Sequence, residues 1–125
     1  MSPLLFIGMS LTGGLGAATR YSIDKFIQSH TAGRFPWGVF TINVTGSFLM
    51  GILAGLALTS VASPTLQIIL GTGFLGGYTT FSTASHDTVT LIREGHAGKA
   101  IASSMGNLII TFAAALTGLA VSGAL

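Results

Sequence analysis

Long stretches without a charged side chain constrain this chain more than any other feature of its sequence. Residues 1–19, 35–86 and 100–125 contain no Asp, Glu, Lys or Arg, and only 6% of the 125 residues are charged. Ordinary globular domains carry about 25% charged residues. Because a helix needs about 20 apolar residues to cross the hydrocarbon core of a bilayer, the three stretches predict one, two and one crossings of a lipid membrane.

The long central stretch must turn once. Its only compact turn signal is Ser-Val-Ala-Ser-Pro at residues 60–64. The sequence therefore predicts an all-α membrane protein with one four-helix domain over residues 1–125. We expect its helices at about residues 3–28, 36–60, 65–92 and 97–123.

The basic residues are few and lie on one side of this predicted topology. All five fall in or beside the loops after the first and third helices: Arg20, Lys25, Arg34, Arg93 and Lys99. Taken alone, the positive-inside rule places both termini outside. The bases form no cluster, so we exclude nucleic acid as a partner. The 125 residues leave little chain for each of four crossings, and four thin helices cannot shield a water-filled path alone, which predicts an oligomer.

Polar side chains inside membrane helices are costly and mark functional positions. Asn43 and Asn107 are the most demanding, because a side-chain amide needs several hydrogen-bond partners. Asn107 and Thr111 are four residues apart and share one helix face. Isolated threonines such as Thr45 and Thr117 are expected to bond to their own helix or to join neighbouring helices.

The third predicted helix has a poor helical sequence at its middle. Residues 71–83 read Gly-Thr-Gly-Phe-Leu-Gly-Gly-Tyr-Thr-Thr-Phe-Ser-Thr. The glycine spacing formally matches a dinucleotide fingerprint, but no strand precedes it, so we reject that match. The run instead predicts a broken helix in the middle of the bilayer, over Gly76-Gly77 and the Thr79, Thr80, Ser82 and Thr83 that follow. Unwound backbone at that depth must be buried or line a polar cavity, and its free carbonyls or amides can bind an ion.

These motifs closely resemble the Fluc (CrcB) family of small fluoride channels. The resemblance covers all four helices. It rests on residues 71–83, on Gly-Gly-Leu-Gly-Ala-Ala-Thr-Arg-Tyr at 13–21, on the helix 2 pattern around Asn43, and on Asn-Leu-Ile-Ile-Thr at 107–111.

The resemblance implies a dual-topology dimer of two antiparallel subunits with two pores. A structural sodium ion (Na+) at the dimer centre would be held by the backbone carbonyls of Gly76 and Thr79. The implied role is passive efflux of fluoride across the bacterial plasma membrane, which protects the cell against fluoride toxicity.

The predicted fluoride path combines the family's positions with the polar residues found above. An amide or hydroxyl can replace the water around a small anion, and an aromatic edge carries partial positive charge. The predicted pore residues are Asn43, Thr80, Phe81, Ser82, Thr83, Asn107 and Thr111. Arg20 and Asp87 are placed at a pore vestibule.

Two features depart from the family pattern. Ala84 stands where the family has a second Phe, and Asp87 where it has Glu. The one-sided bases also differ from the weak charge bias usual for dual insertion. Both features fit one half of a heterodimer of paired homologous subunits, and Ala84 equally fits an engineered substitution in a homodimer. The sequence leaves both open.

Two other functions compete with that of a fluoride channel. A small multidrug-type exporter needs a carboxylate within the membrane, and Asp87, near the end of the third helix, is its only candidate. A non-transporting assembly subunit would have no need of Asn43 or of the hydroxyl-rich run. The sequence shows no nucleophile–base pair and no metal-spaced cluster, so we expect no enzymatic activity.

Overall fold

The computed structural model describes residues 2–33 and 35–124, with the backbone alone at Ser82, and all regular secondary structure in these ranges is helical. The helices are α1 (Pro3–His30), α2 (Trp37–Leu58), α3 (residues 64–78), α4 (Ser82–Arg93) and α5 (Ala97–Val121). The all-α prediction is confirmed. The predicted bounds of the first, second and fourth helices are correct to within two residues.

Serine and proline start two of these helices. Ser2 accepts a hydrogen bond from the Leu5 amide at 3.1 Å, and Ser63 accepts one from Leu66 at 3.1 Å. A proline follows each serine, where its missing N–H costs nothing. The predicted turn before Pro64 is thus confirmed.

α3 changes its winding along its length. It opens with an α-helical turn at Pro64–Leu66, continues as a π-helix over Gln67–Leu75 and closes with an α-helical turn at Gly76–Tyr78. Thr79 then takes an extended conformation, with φ −79° and ψ 157°, and α4 begins at Ser82. The chain therefore leaves helical geometry over residues 79–81.

The glycine pair itself is helical, and the interruption follows it, at the start of the hydroxyl-rich part of the predicted run. The reason is packing between helices. A Cβ at Gly77 would overlap the Gly13 carbonyl oxygen of α1. Gly77 thus allows close backbone contact with α1, as small residues do between membrane helices.

α1 and α3 lie against each other nearly backbone to backbone. A Cβ at Gly16 would overlap the Phe74 carbonyl oxygen, and the Thr12 hydroxyl donates to the Ile69 carbonyl at 2.8 Å. α2 packs on α5 in the same way, with Gly51 against the Ala115 carbonyl. These contacts hold α3 against α1 and α5 against α2.

Two helices, α2 and α5, are long and apolar enough to cross a membrane. Only 6% of the apolar part of α5 is buried, unlike the core helix of a soluble protein. α1 does not meet that criterion. The third segment is divided by residues 79–81. Its crossing and that of α1 stay predictions.

Candidate functional site

An uncharged cleft of about 310 Å³ lies between α2 and α5, beside residues 79–81. We refer to it as the neutral cleft. Its lining residues are Asn43, Gly46, Ser47, Met50, Thr79, Thr80, Phe81, Asn107, Thr111 and Ala115. Five of the predicted pore residues (Asn43, Thr80, Phe81, Asn107 and Thr111) are therefore brought together here.

Asn43 is bonded on both sides of its amide to one residue of the interrupted segment. Its Nδ2 donates to the Thr80 carbonyl at 2.9 Å, and its Oδ1 accepts from the Thr80 amide at 2.9 Å. Only 6% of Asn43 is exposed. A buried amide satisfies its donors and acceptors in this way, and it replaces hydrogen bonds that the interrupted helix has lost.

Asn107 has the more available amide of the two. Asn43 Nδ2 donates to Asn107 Oδ1 over a long 3.4 Å. The Asn107 Nδ2 group has no hydrogen-bond partner among the residues that the structure describes, and the side chain is half-buried in the neutral cleft. The Thr111 hydroxyl donates to the Asn107 backbone carbonyl. The cleft thus offers an anion two donors that bond to no other described residue, the N–H₂ of Asn107 and the hydroxyl of Ser47.

Phe81 stands at the edge of the neutral cleft. It carries an apolar ring that is 84% exposed, at the point where the chain re-enters helical geometry. An aromatic ring has a positive edge, so this ring can face an anion in the cleft. Its exposure also leaves a large apolar surface uncovered beside a polar site.

The interruption changes which carbonyls of α3 have α-helical partners. The amide four residues after Gly76 belongs to Thr80, and it donates to Asn43 rather than back to Gly76. The Gly76 carbonyl therefore lacks its α-helical donor. Thr79 lies outside the helix in an extended conformation. Backbone carbonyl oxygens are hard ligands suited to a hard cation, so this donor set fits sodium.

Neighbouring carbonyls are occupied by other donors. Arg20 Nε donates to the Gly77 carbonyl at 3.2 Å, and the Leu75 carbonyl accepts from both the amide and the hydroxyl of Thr79 at 3.0 Å. Arg20 thus contacts the end of α3 and does not line the neutral cleft.

Thr83 lies with Arg20 in a second cleft of about 180 Å³, which also includes Asp24 and Thr80. The Thr80 hydroxyl donates to the Thr83 hydroxyl at 3.2 Å. Thr80 lines both clefts, so its side chain lies between Thr83 and the predicted pore residues of the neutral cleft. The side chain of Ser82, also predicted in the pore, lies outside the described part of the chain.

Asp87 lines a third cleft, of about 350 Å³, together with Gln28 and Glu94 near the loop after α1. Ala84 is half-buried on α4 and is not among the described residues that line the neutral cleft. The structure therefore places Asp87 and Ala84 apart from Asn43.

Sequence reasoning missed Tyr78, whereas Thr45 has the contacts expected of an isolated threonine in a membrane helix. The Tyr78 and Thr45 hydroxyls lie 2.9 Å apart, between α3 and α2. Thr45 bonds to its own helix at Thr41, as predicted, and it also has this partner on another helix. The Thr117 hydroxyl donates to the Ala113 carbonyl of its own helix at 2.8 Å. The one available signal was a tyrosine hydroxyl inside an apolar run, which needs a partner when buried.

Fold and site together define a small helical membrane protein with an uncharged, amide-lined cleft beside an interrupted helix. A family model described as "CrcB-like protein, Camphor Resistance (CrcB)" matches residues 7–119. The chain belongs to this family, as the sequence motifs predicted.

Relatives from distant bacteria agree with this assignment. A "Fluoride-specific ion channel FluC 1" from Leifsonia xyli is 42% identical over 98% of this chain and 90% of that protein. A "Fluoride-specific ion channel FluC" from Thermus thermophilus is 35% identical over 96% of this chain and 94% of its own length. A "Fluoride-specific ion channel FluC" from Rhizobium meliloti is 36% identical over 100% of this chain and 99% of that protein.

Proposed function

We propose that this chain forms a fluoride-selective channel through which cytoplasmic fluoride leaves the cell passively. The observation that carries the proposal is the neutral cleft, whose amides and aromatic edge meet at the interrupted helix. The relatives described as fluoride-specific ion channels support the choice of ion.

The chemistry of the cleft suits a small, strongly hydrated anion. The Asn107 amide and the Phe81 edge can take the place of water around fluoride. No charged side chain lines the cleft among the described residues. A full positive charge would hold the ion too tightly, and conduction requires binding that the ion can also leave.

The proposed channel is an antiparallel dimer with two pores. The neutral cleft is open at one side in a single subunit, and Phe81 is 84% exposed there. A second subunit that covered this ring would close the path. The second subunit is another copy of the chain or, because Ala84 lacks an aromatic ring, a paired homologue.

Sodium is proposed at the centre of the dimer. The carbonyls of Gly76 and Thr79 would hold it, since the Gly76 carbonyl has lost its α-helical donor to Asn43. The ion would supply the positive charge that draws carbonyls of both subunits together.

A multidrug-type exporter is disfavoured by the position of the acid. Asp87 lies in the third cleft beside Glu94, and the neutral cleft has no carboxylate among its described lining residues. Proton-coupled export would need such a group on the transport path.

Proteoliposomes loaded with potassium fluoride or potassium chloride test the proposal. With valinomycin added, an electrode should record fast fluoride release and no chloride release. Release of both ions at similar rates would contradict selectivity. Proton-coupled uptake of a cationic dye without fluoride release would favour the exporter. Fluoride release that required a co-expressed homologue would identify the heterodimer.

A further inference from the structure

Tyr78 makes a hydrogen bond that reaches across two helices immediately before the interruption. The side chain is 7% exposed, and its hydroxyl lies 2.9 Å from the Thr45 hydroxyl. Thr45 has one hydroxyl proton and donates it to the Thr41 carbonyl at 2.8 Å. When Thr45 donates to Thr41, the Tyr78 hydroxyl is the donor in its bond to Thr45.

The two residues after Tyr78 contact the same stretch of α2. Thr79 places its methyl group against Gly46, where a Cβ would overlap it. Thr80 is held on both sides by the Asn43 amide. The end of α3 and the start of the interruption therefore contact α2 at three successive residues.

We infer that Tyr78 is a positioning residue for the neutral cleft. Its hydroxyl, bonded to Thr45, fixes where α3 ends, and this places the Thr79–Thr80 backbone that lines the cleft. The inference rests on the proposed function for its transport consequence, but the placement of Thr80 can be measured without transport.

The ring of Tyr78 makes contacts that are separate from those of its hydroxyl. The ring stacks on Phe74 at 6.2 Å between centroids and touches the position of Gly46. These contacts survive in Tyr78→Phe, which removes only the hydroxyl. Loss of one neutral hydrogen bond corresponds to about a twofold to tenfold change in an equilibrium. We expect a change of that size in the fraction of time that Thr80 stays on Asn43.

The experiment compares Tyr78→Phe, Thr45→Val and the double variant in reconstituted protein. Fluoride efflux and hydrogen exchange of the Thr80 backbone amide are measured for each. Thr117→Val is the matched control, since the hydroxyl of Thr117 bonds to Ala113 of its own helix. Thr45→Ser keeps the hydroxyl and serves as the rescue variant.

If Tyr78 positions the cleft, the Thr80 backbone amide exchanges its hydrogen about twofold to tenfold faster in each single variant. Fluoride efflux falls by a similar factor. The double variant is no worse than either single one, because both remove the same bond. Thr45→Ser and Thr117→Val behave as the unmodified chain. If Tyr78→Phe does not assemble, the Thr45→Val and Thr45→Ser pair makes the same comparison.

Unchanged Thr80 exchange in Thr45→Val and Tyr78→Phe would overturn the inference. Effects that multiplied in the double variant would also overturn it, since they would show two independent packing losses. An unmodified chain without fluoride efflux would contradict the proposed function instead, while faster exchange at Thr80 would still support the positioning role.

Discussion

Replacing Asn43 with Asp exchanges the side-chain N–H₂ group in the neutral cleft for a carboxylate oxygen. The carboxylate keeps nearly the shape of the amide, and one oxygen can still accept from the Thr80 amide at 2.9 Å. It loses the N–H₂ group that donates to the Thr80 carbonyl at 2.9 Å and to Asn107 Oδ1 at 3.4 Å. It also brings a negative charge toward both of these acceptor oxygens.

Two energies follow from this geometry. A buried carbonyl that loses its donor costs about 1–3 kcal/mol in stability. A fluoride ion within about 4 Å of the carboxylate is repelled by about 4 kcal/mol at an effective dielectric constant near 20. Since each 1.4 kcal/mol is a factor of ten, we expect fluoride flux to fall by about a thousandfold.

Fluoride efflux from proteoliposomes measures this loss, and gel filtration reports assembly. Asn43→Leu is the matched comparison, because it removes every hydrogen bond of the amide without adding charge. We expect Asn43→Asp to carry less fluoride than Asn43→Leu, although it keeps one more hydrogen bond. Flux in Asn43→Asp equal to that of the unmodified chain, or above that of Asn43→Leu, would refute an anion path beside Asn43.

Three further substitutions test other parts of the account. Ala84→Phe tests whether the path of the dimer also passes residue 84, which lies outside the neutral cleft of one subunit. An aromatic station there should raise fluoride efflux by about threefold to tenfold with unchanged dimer elution, by analogy with aromatic pair energies, and unchanged or lower efflux from an intact dimer would argue against it. Asn107→Leu should lower efflux by about tenfold to a hundredfold, because the cleft loses its available amide, and unchanged efflux would remove Asn107 from the path. Gly16→Ala should lower the stability of the fold by about 1–3 kcal/mol, since its Cβ would overlap the Phe74 carbonyl. Gly14→Ala is the control and should leave stability unchanged, because nothing lies within 4 Å of its Cβ. Equal thermal midpoints for the two variants would contradict the close packing of α1 on α3.

The helices were predictable because their limits depend on local signals. Charged residues bound the apolar stretches, and Ser63 with Pro64 both marks the turn and caps the next helix. The polar cleft residues were predictable for a related reason. An amide such as Asn43 is too costly inside an apolar helix to lack a partner, so its presence predicts a polar contact.

The position of the interruption was not predictable from local propensity. Glycine weakens an isolated helix, yet Gly77 is helical because α1 needs close approach at that residue. The helix ends instead at Tyr78, where α2 supplies Thr45 and Asn43 as partners. Tertiary packing decides which polar groups meet across helices. It also places Thr83 and Asp87 in clefts other than the neutral cleft.

The most direct test of fluoride-selective passive conduction is the reversal potential of reconstituted protein in a planar bilayer. With a tenfold fluoride gradient, equal pH and equal chloride on both sides, the account predicts a reversal potential of about 59 mV for a singly charged ion. A steady fluoride current that reverses there would support the central claim. A reversal potential near zero, or one that followed a chloride or proton gradient, would contradict it.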